Sequence, residues 1–482
     1  MSADPRLVEF NTQRIAHWNR IALSAPAPSL FGREYYRRLM EIYRFLVPPG
    51  GRVLEVGCAA GELLAAVQPA QGIGIDFSPQ MLRRAAERHP AGGKLKFIEA
   101  DAHDMSALDG PFDVILLADL LNDVFDVQQV LTDVRRLSHP GTRIVLNIFS
   151  HLWAGPLRSA AAIGIARPKL EQNWLTVQDL RGLLSLASLE IVDHRQDILL
   201  PAPLPGIRTL ANRYVAQIWP LRHLALTNII VARPVPDRGS LPAAPTVSVI
   251  VPARNEAGNI ARILDEVPMM GGGTEVIFVE GHSRDGTYEV IEQNIRKHPG
   301  CAASLYRQRG KGKGDAVRLG FEKAAGDILM ILDADLTVAP RDLLRFFDAI
   351  STGRGEFVNG VRLVYPMEDE AMRFFNLLGN KFFSWAFSWL LGQPIKDTLC
   401  GTKVLWRKDY ARLAENRAYF GDFDPFGDFD LLFGAAKLGL KIMEVPIRYG
   451  ARKYGETNIQ RWRHGWLLLR MVVFAARRIK FI

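Results

Sequence analysis

The sequence predicts a chain of two α/β domains, each an open sheet of mostly parallel strands with helices on its faces, and three observations carry that expectation. Short apolar runs repeatedly end in an acid or a glycine-bearing turn and lead into a helix start, first between residues 52 and 149 and again between 246 and 335. A proline-rich stretch, Pro234-Val-Pro-Asp-Arg-Gly-Ser-Leu-Pro-Ala-Ala-Pro245, separates the two series. The length of 482 residues exceeds what a single hydrophobic core normally supports. With 48% hydrophobic and 23% charged residues the chain has the composition of a folded protein and not of a disordered one.

The first fifty residues place Tyr35, Tyr36, Leu39, Ile42 and Phe45 at helical spacing and stop at Pro48-Pro49-Gly50-Gly51, which predicts a helical lead-in. Arg52-Val-Leu-Glu55-Val-Gly57-Cys-Ala-Ala-Gly61 then reads as strand, glycine turn and helix start. Gly72-Ile-Gly-Ile-Asp76-Phe-Ser78-Pro79 is a second strand ending in an acid, with Ser78 capping a helix that Pro79 opens. Glycines let a backbone approach a nucleoside, and an acid about twenty residues later can bond its ribose hydroxyls. Phe97-Ile-Glu-Ala-Asp101-Ala102 and Phe112-Asp-Val-Ile-Leu-Leu-Ala-Asp119 continue the series, and residues 142–149 supply a fifth strand.

These segments, VLEVGCAAG, GIDFSPQML, IEADAHDM and FDVILLADLLNDVFD, resemble the successive motifs of class I S-adenosylmethionine-dependent methyltransferases over about residues 30–232. The resemblance implies a Rossmann-like fold with S-adenosyl-L-methionine as cofactor. It puts Glu55, Gly57 and Gly61 in the cofactor turn, Asp76 on the ribose, and Asp101 with Ala102 beside the adenine. One departure is Ala59, which stands where the family usually has its middle glycine. Candidate bases for methyl transfer are Asp119, Asp123 and His151. The methyl acceptor is not legible.

After the proline-rich linker, placed at 233–245, a buried strand turns into a loop at Thr246-Val-Ser-Val-Ile-Val-Pro252-Ala-Arg-Asn255-Glu256. Thr274-Glu-Val-Ile-Phe-Val-Glu280-Gly-His-Ser-Arg-Asp285-Gly-Thr repeats the plan. A basic glycine loop, Arg309-Gly-Lys-Gly-Lys313-Gly-Asp315, precedes a further helix, and its lysine and amides suit phosphate. Ile328-Leu-Met-Ile-Leu-Asp333-Ala-Asp335 then reads as a doubly buried strand ending in two carboxylates. If the strand continues through them, Asp333 and Asp335 point to one side, as hard oxygen ligands for Mg²⁺ or Mn²⁺ held with a diphosphate.

VIVPARNE, EVIFVEGHSRDGT, GKGDAVRLGFEKAAGD and ILDADL together resemble family-2 glycosyltransferases of the GT-A fold, in particular dolichol-phosphate mannosyltransferase and the polyprenyl-phosphate sugar transferases, over about residues 246–460. The resemblance implies a second Rossmann-like domain and inverting transfer from a nucleotide-sugar donor. Pro252, Asn255, Glu256, Glu280, Asp285, Lys313, Asp315 and Arg452 would hold the donor, and Asp333 with Asp335 the metal and diphosphate. Glu280 departs from the family's usual Asp. Arg362, Arg373 and Asp397 would face a lipid-phosphate acceptor. Asp428 would be a catalytic residue of the second acidic motif, where many members keep a base, although a dianionic phosphate acceptor needs none. With a soluble hydroxyl acceptor, Asp428 or Asp430 would act as general base, and in that alternative the N-terminal half is a non-catalytic binding module.

The net charge of +9, with a pI near 9.4, favours anionic partners. Nucleic acid is not expected, because the basic residues gather at the glycine loop and the C-terminal segment without a base-reading motif. Cys58, Cys301 and Cys400 lie far apart without metal-ligand spacing and predict a reducing compartment. The first twenty residues carry charge throughout and lack an export signal, so the expected location is cytoplasmic. Residues 374–391 and the basic stretch 461–482 combine apolar bulk with aromatic or cationic side chains, which predicts peripheral contact with the inner face of a membrane.

Overall fold

The computed structural model describes residues 4–24, 29–90, 93–163, 170–362, 374–419, 429–448, 450, 454 and 461–482. The chain forms two compact units, one running to Val235 and including Lys480–Ile482, the other Pro236–Ile479. Each is a mixed α/β domain built on its own seven-stranded sheet.

In the first unit the strands are β1 (Arg52–Val56), β2 (Gln71–Asp76), β3 (Leu95–Glu99), β4 (Phe112–Leu117), β5 (Ser138–Phe149), β6 (Leu189–Asp197) and β7 (Thr227–Pro234). Their order is β3-β2-β1-β4-β5-β7-β6, with β7 alone antiparallel to its neighbours. The central strands are apolar on both faces because helices cover both. Leu54, Ile75, Ile115 and Leu146 pack on one side, while Tyr35, Leu39 and Tyr43 of the helix Leu30–Leu46 pack against Val53, Val114 and Val145 on the other. Ser78 caps the helix Pro79–Arg88 by accepting from Met81 N at 3.2 Å, with Pro79 at its first position, as the sequence predicts. The strand order reverses between β1 and β4, which opens a crevice at their carboxyl ends.

In the second unit the strands are β8 (Val247–Ala253), β9 (Thr274–Glu280), β10 (Ala302–Arg307), β11 (Ile328–Ile331), β12 (Phe357–Val361), β13 (Lys403–Trp406) and β14 (Ile442–Pro446). The order β10-β9-β8-β11-β13-β12-β14 again has one reversed strand, β13, and reverses direction between β8 and β11. Val249, Val251, Phe278, Met330 and Leu332 lie at the centre of the core.

Three boundaries differ from the sequence expectation. Arg233 and Pro234 belong to β7 and not to the linker: Arg233 is buried and pairs with Glu190 across the sheet at 2.8 Å, and Pro234 closes the strand opposite Leu189. β11 ends at Ile331, two residues before Asp333, so the two acids stand on a turn and strand alternation does not orient them. The C-terminal segment is a helix, Arg461–Ala475, followed by a wider turn, Ala476–Lys480, and it buries Leu468, Met471, Ala475 and Ile479.

The helix Phe374–Leu391 packs on that C-terminal helix and splits its apolar residues. Phe387, Leu390 and Leu391 are buried, with Phe387 stacked on Phe433 at 5.8 Å, whereas Phe382 and Trp385 face outward. No helix among the described residues is long and apolar enough to cross a membrane.

Candidate cofactor and donor sites

At the crevice of the first unit, Gly57 follows β1 with φ +74°, and Gly57 N and Cys58 N donate to Ile75 O at 2.8 and 2.9 Å. A side chain at Gly57 would come within 2.9 Å of Leu120 Cδ1, and one at Gly61 within 2.6 Å of the Phe97 ring, so both positions need glycine for close packing. Ala59 stands between them at φ +45°, a left-handed conformation that strains a residue with a Cβ. Its N–H donates to Asp76 Oδ2 at 2.9 Å, and Ser78 N donates to Asp76 Oδ1 at 2.8 Å. The acid that closes β2 thus ties the glycine turn to the next helix. Burial raises the Asp76 pKa against these bonds.

Beneath the turn, Glu55 is buried and accepts from Leu64 N at 2.9 Å. Burial, with a smaller contribution from Asp76, pushes its pKa up to about 8. Asp101 accepts from His103 N at 2.9 Å and from His103 Nδ1 at 2.8 Å, while His103 Nε2 accepts from the backbone of Phe125 and Asp126. That pattern assigns the proton of a neutral imidazole to Nδ1. Burial raises the Asp101 pKa, but the His103 bonds outweigh it and leave the carboxyl below its usual range. Ala102 beside it is buried.

The helix Pro5–Ser24, expected only as part of a helical lead-in, reaches this end of the sheet. Asn11 donates to Asp101 Oδ2, Asn19 Oδ1 accepts from Ser78 Oγ at 2.7 Å, and Arg14 and Trp18 hold Asp123 at 3.0 and 3.2 Å. Asp119, at φ +53°, accepts from Tyr35 Oη at 2.7 Å and from Asn147 Nδ2 at 2.6 Å, and Tyr43 Oη donates to Asn147 Oδ1 at 2.8 Å. Asn147 was the one polar residue in the apolar run of β5, a signal in the sequence that points to this cluster. His151 is exposed, its ring 6.3 Å from Trp174, apart from the cluster around Asp119.

In the second unit the candidate donor residues converge on the carboxyl ends of β8, β9 and β11. Asn255 takes φ +56°, with its N–H on Ser283 Oγ at 3.0 Å and its Oδ1 accepting from Arg284 N at 2.8 Å. Glu256 is buried, accepting from Asn259 at 2.8 Å, and Pro252 is the penultimate residue of β8. Glu280, buried at the end of β9, accepts from Ser283 N at 2.5 Å and lies 3.5 Å from Arg307. Asp285 accepts from Thr287, from Ala257 N and, at 3.3 Å, from Tyr454 Oη. Burial raises its pKa, and these donors together outweigh burial and bring it below the usual range. The Tyr454 ring covers Gly258, where a Cβ would meet it at 2.6 Å. Tyr454 lies in a segment the sequence singled out for its basic residues only.

Asp315 caps the glycine loop by accepting from Gly310 N at 2.8 Å, and Lys313 Nζ reaches Asp333 Oδ1 at 2.7 Å. Asp335 Oδ1 accepts from Thr337 N and Thr337 Oγ1 at 3.1 and 2.7 Å. Gly401 closes this site: a Cβ there would meet both Asp333 Oδ2 and Lys313 Nζ well inside contact distance. Arg362 and Asp397 meet each other, with Nε and Nη2 donating to the two carboxylate oxygens at 2.7 and 2.9 Å. Burial raises the Asp397 pKa, and the Arg362 fork more than offsets it. Asp430 pairs with Arg417 at 3.2 Å. Arg373, Asp428 and Arg452 lie outside the described residues.

Residues 248–410 match the family described as Glycosyl transferase family 2, and residues 48–176 match a Methyltransferase domain. Glycosyltransferase AglJ of Haloferax volcanii is 29% identical over 230 residues, which is 47% of this chain and 71% of that protein. The dolichol-phosphate mannosyltransferase of Pyrococcus furiosus is 29% identical over 220 residues, 44% of this chain and 59% of its own length. A solved S-adenosylmethionine-dependent methyltransferase from Mesorhizobium loti covers 40% of this chain and 96% of its own, at 17% identity and a TM-score of 0.33.

Proposed function

From a chain that joins a methyltransferase domain to a glycosyl transferase family 2 domain, we propose a bifunctional transferase. The second unit moves a sugar from a nucleotide diphosphate to a polyprenyl phosphate with inversion, and the first methylates a separate acceptor with S-adenosyl-L-methionine. The observation that carries the sugar-transfer reading is the meeting of Lys313, Asp333 and Gly401 beside Asp335 at the β8/β11 reversal.

Asp333 and Asp335 offer carboxylate oxygens to a divalent cation, and because no group of three or more side-chain ligands occurs among the described residues, donor diphosphate oxygens would complete its coordination. Asp333 and Asp335 would hold Mg²⁺ or Mn²⁺, which would supply charge neutralisation for a leaving diphosphate. Thr337 fixes the Asp335 carboxylate in one orientation. Glu280, Asp285 and the turn at Asn255 line the nucleoside end, where Tyr454 clamps Asp285. The acceptor phosphate is already an anion and attacks the anomeric carbon as the bond to the diphosphate oxygen breaks, so no side chain need remove a proton. The Arg362–Asp397 pair stiffens the neighbouring segment, and from it Arg362 can turn to the lipid phosphate.

The first unit fits an adenosyl group. Each Asp76 oxygen accepts one backbone N–H, and a carboxylate oxygen has a second lone pair for a ribose hydroxyl. When bound, S-adenosyl-L-methionine supplies an electrophilic methyl group. Asp119, oriented by Tyr35 and Asn147, is the carboxylate placed to order the acceptor.

The test is a donor screen with UDP-, GDP- and dTDP-sugars, Mg²⁺ or Mn²⁺, and a short polyprenyl phosphate. Transfer that needs the lipid phosphate and disappears in the Asp333→Ala/Asp335→Ala double variant is the expected result. Transfer surviving in that variant would overturn the reading. Titration calorimetry with S-adenosyl-L-methionine tests the other half, which fails if no heat appears at millimolar ligand.

A further inference from the structure

Between β6 and β7 the first unit carries a run of short helical turns, Ile207–Thr209, Leu210–Tyr214, Val215–Gln217 and Leu221–Leu224, whose polarity is inverted. Its two amide side chains are inside. Asn212 is buried and bonds both Leu200 N and Leu200 O, at 2.7 and 2.9 Å, and Gln217 is buried with its amide on Asp197 Oδ2 at 2.9 Å. Its large apolar residues are outside: Ile207 is 59% exposed, Leu210 58%, Ile218 50% and Trp219 67%. Scattered apolar residues on a surface mean little, but a segment that turns its amides inward and its leucines outward is built for a medium other than water.

The charge around it names the medium. No Asp or Glu occurs from Ile198 to Pro236, while Arg208, Arg213, Arg222 and His223 lie within the segment itself. Arg208 pairs with Glu34, which sets the segment beside the helix Leu30–Leu46, and that helix exposes Leu30 and Phe31. Arg213 and His223 are exposed at the edge of the apolar surface. An apolar surface carrying tryptophan and tyrosine, edged by Arg213 and His223 and with no acid in its own segment, has the chemistry of an interface with anionic headgroups.

We propose that residues 204–224 form a docking surface that lays the first unit on an anionic lipid bilayer, with Ile207, Leu210, Ile218 and Trp219 entering the headgroup boundary. The surface belongs to the methyltransferase unit and goes beyond the sugar-transfer reading, so it stands or falls separately from it.

The test is co-sedimentation of the full chain with vesicles of phosphatidylcholine alone and of phosphatidylcholine with phosphatidylglycerol, alongside light scattering for oligomeric state. The triple variant Ile207→Ser/Leu210→Ser/Trp219→Ser changes only exposed side chains, and an unchanged melting curve and circular dichroism spectrum would verify its fold. The wild-type chain is expected to bind the anionic vesicles more tightly than the neutral ones, and the triple variant to lose at least about tenfold in partitioning. A Phe382→Ser/Trp385→Ser variant of the outward face of the helix Phe374–Leu391 separates the two candidate surfaces. The proposal is overturned if the wild-type chain binds neither vesicle, or if the triple variant binds as well as wild type while the Phe382/Trp385 variant does not. It is likewise overturned if the triple substitution converts a dimer to a monomer and leaves vesicle binding intact, because the face would then join two copies of the chain.

Discussion

Gly401 has no room for a side chain, and the atoms that deny it are Asp333 Oδ2 and Lys313 Nζ. A methyl group there has to part the ion pair or push the turn carrying both acids. Gly401→Ala is therefore expected to lower sugar transfer on the order of a hundredfold while leaving the melting temperature near wild type, because positioning and not the core is disturbed. Single-turnover assay beside calorimetry distinguishes this from misfolding. Glu55 gives a second residue-scale expectation, in pH. Its folded pKa of about 8 stands above the ordinary value, so the unfolded chain releases this proton first, and stability contributed by the group falls as pH rises from about 4.5 to about 8. Glu55→Gln keeps an acceptor for Leu64 N and removes that loss. The variant should gain on the order of 4 kcal/mol over wild type at pH 8 and under about 1 kcal/mol at pH 5, read from urea midpoints at the two pH values.

At the scale of elements, the pair Arg362–Asp397 fastens the segment after the helix Phe374–Leu391 to the end of β12. A lysine keeps the charge but not the two-pronged geometry, so Arg362→Lys should cost about 1–3 kcal/mol near neutral pH, with the deficit shrinking as pH falls into the acid range. The sign follows from Asp397, whose depressed pKa stabilises the fold above the unfolded value and ceases to do so as pH falls through the folded one; thermal melts between pH 3 and 7 measure it. This pair also marks where the sequence stopped being informative. Ser78 with Pro79, Gly57, Gly61 and the acids closing β2 and β9 were legible because their signals are local: a cap, a turn or an apolar run ending in charge. That Arg362 would spend its fork on Asp397, that Asn11 would reach Asp101, and that Gly401 would touch Lys313 are contacts between residues 35 to 90 positions apart, which no spacing rule encodes. Asp333 and Asp335 were found for a partly mistaken reason. The apolar run did lead to them, but the strand stops at Ile331, and the turn, not the pleat, aims their side chains.

For the whole molecule, each unit carries its own sheet, core and candidate ligand site. Ligand bound to one native unit stabilises that unit by mass action, about 2.7 kcal/mol at a hundred times its Kd. Scanning calorimetry is expected to resolve two transitions, with S-adenosyl-L-methionine raising one and a nucleotide diphosphate with Mg²⁺ raising the other. A single transition shifted equally by either ligand would contradict that independence. Both sheets keep their candidate ligand groups at the carboxyl ends of parallel strands, and this leaves the opposite ends of those strands idle. The turn at Pro299-Gly300, just ahead of β10, is exposed, and a Cβ at Gly300 would meet nothing within 4 Å. A fluorophore or affinity handle grafted there would sit at the opposite end of the second sheet from its candidate donor groups.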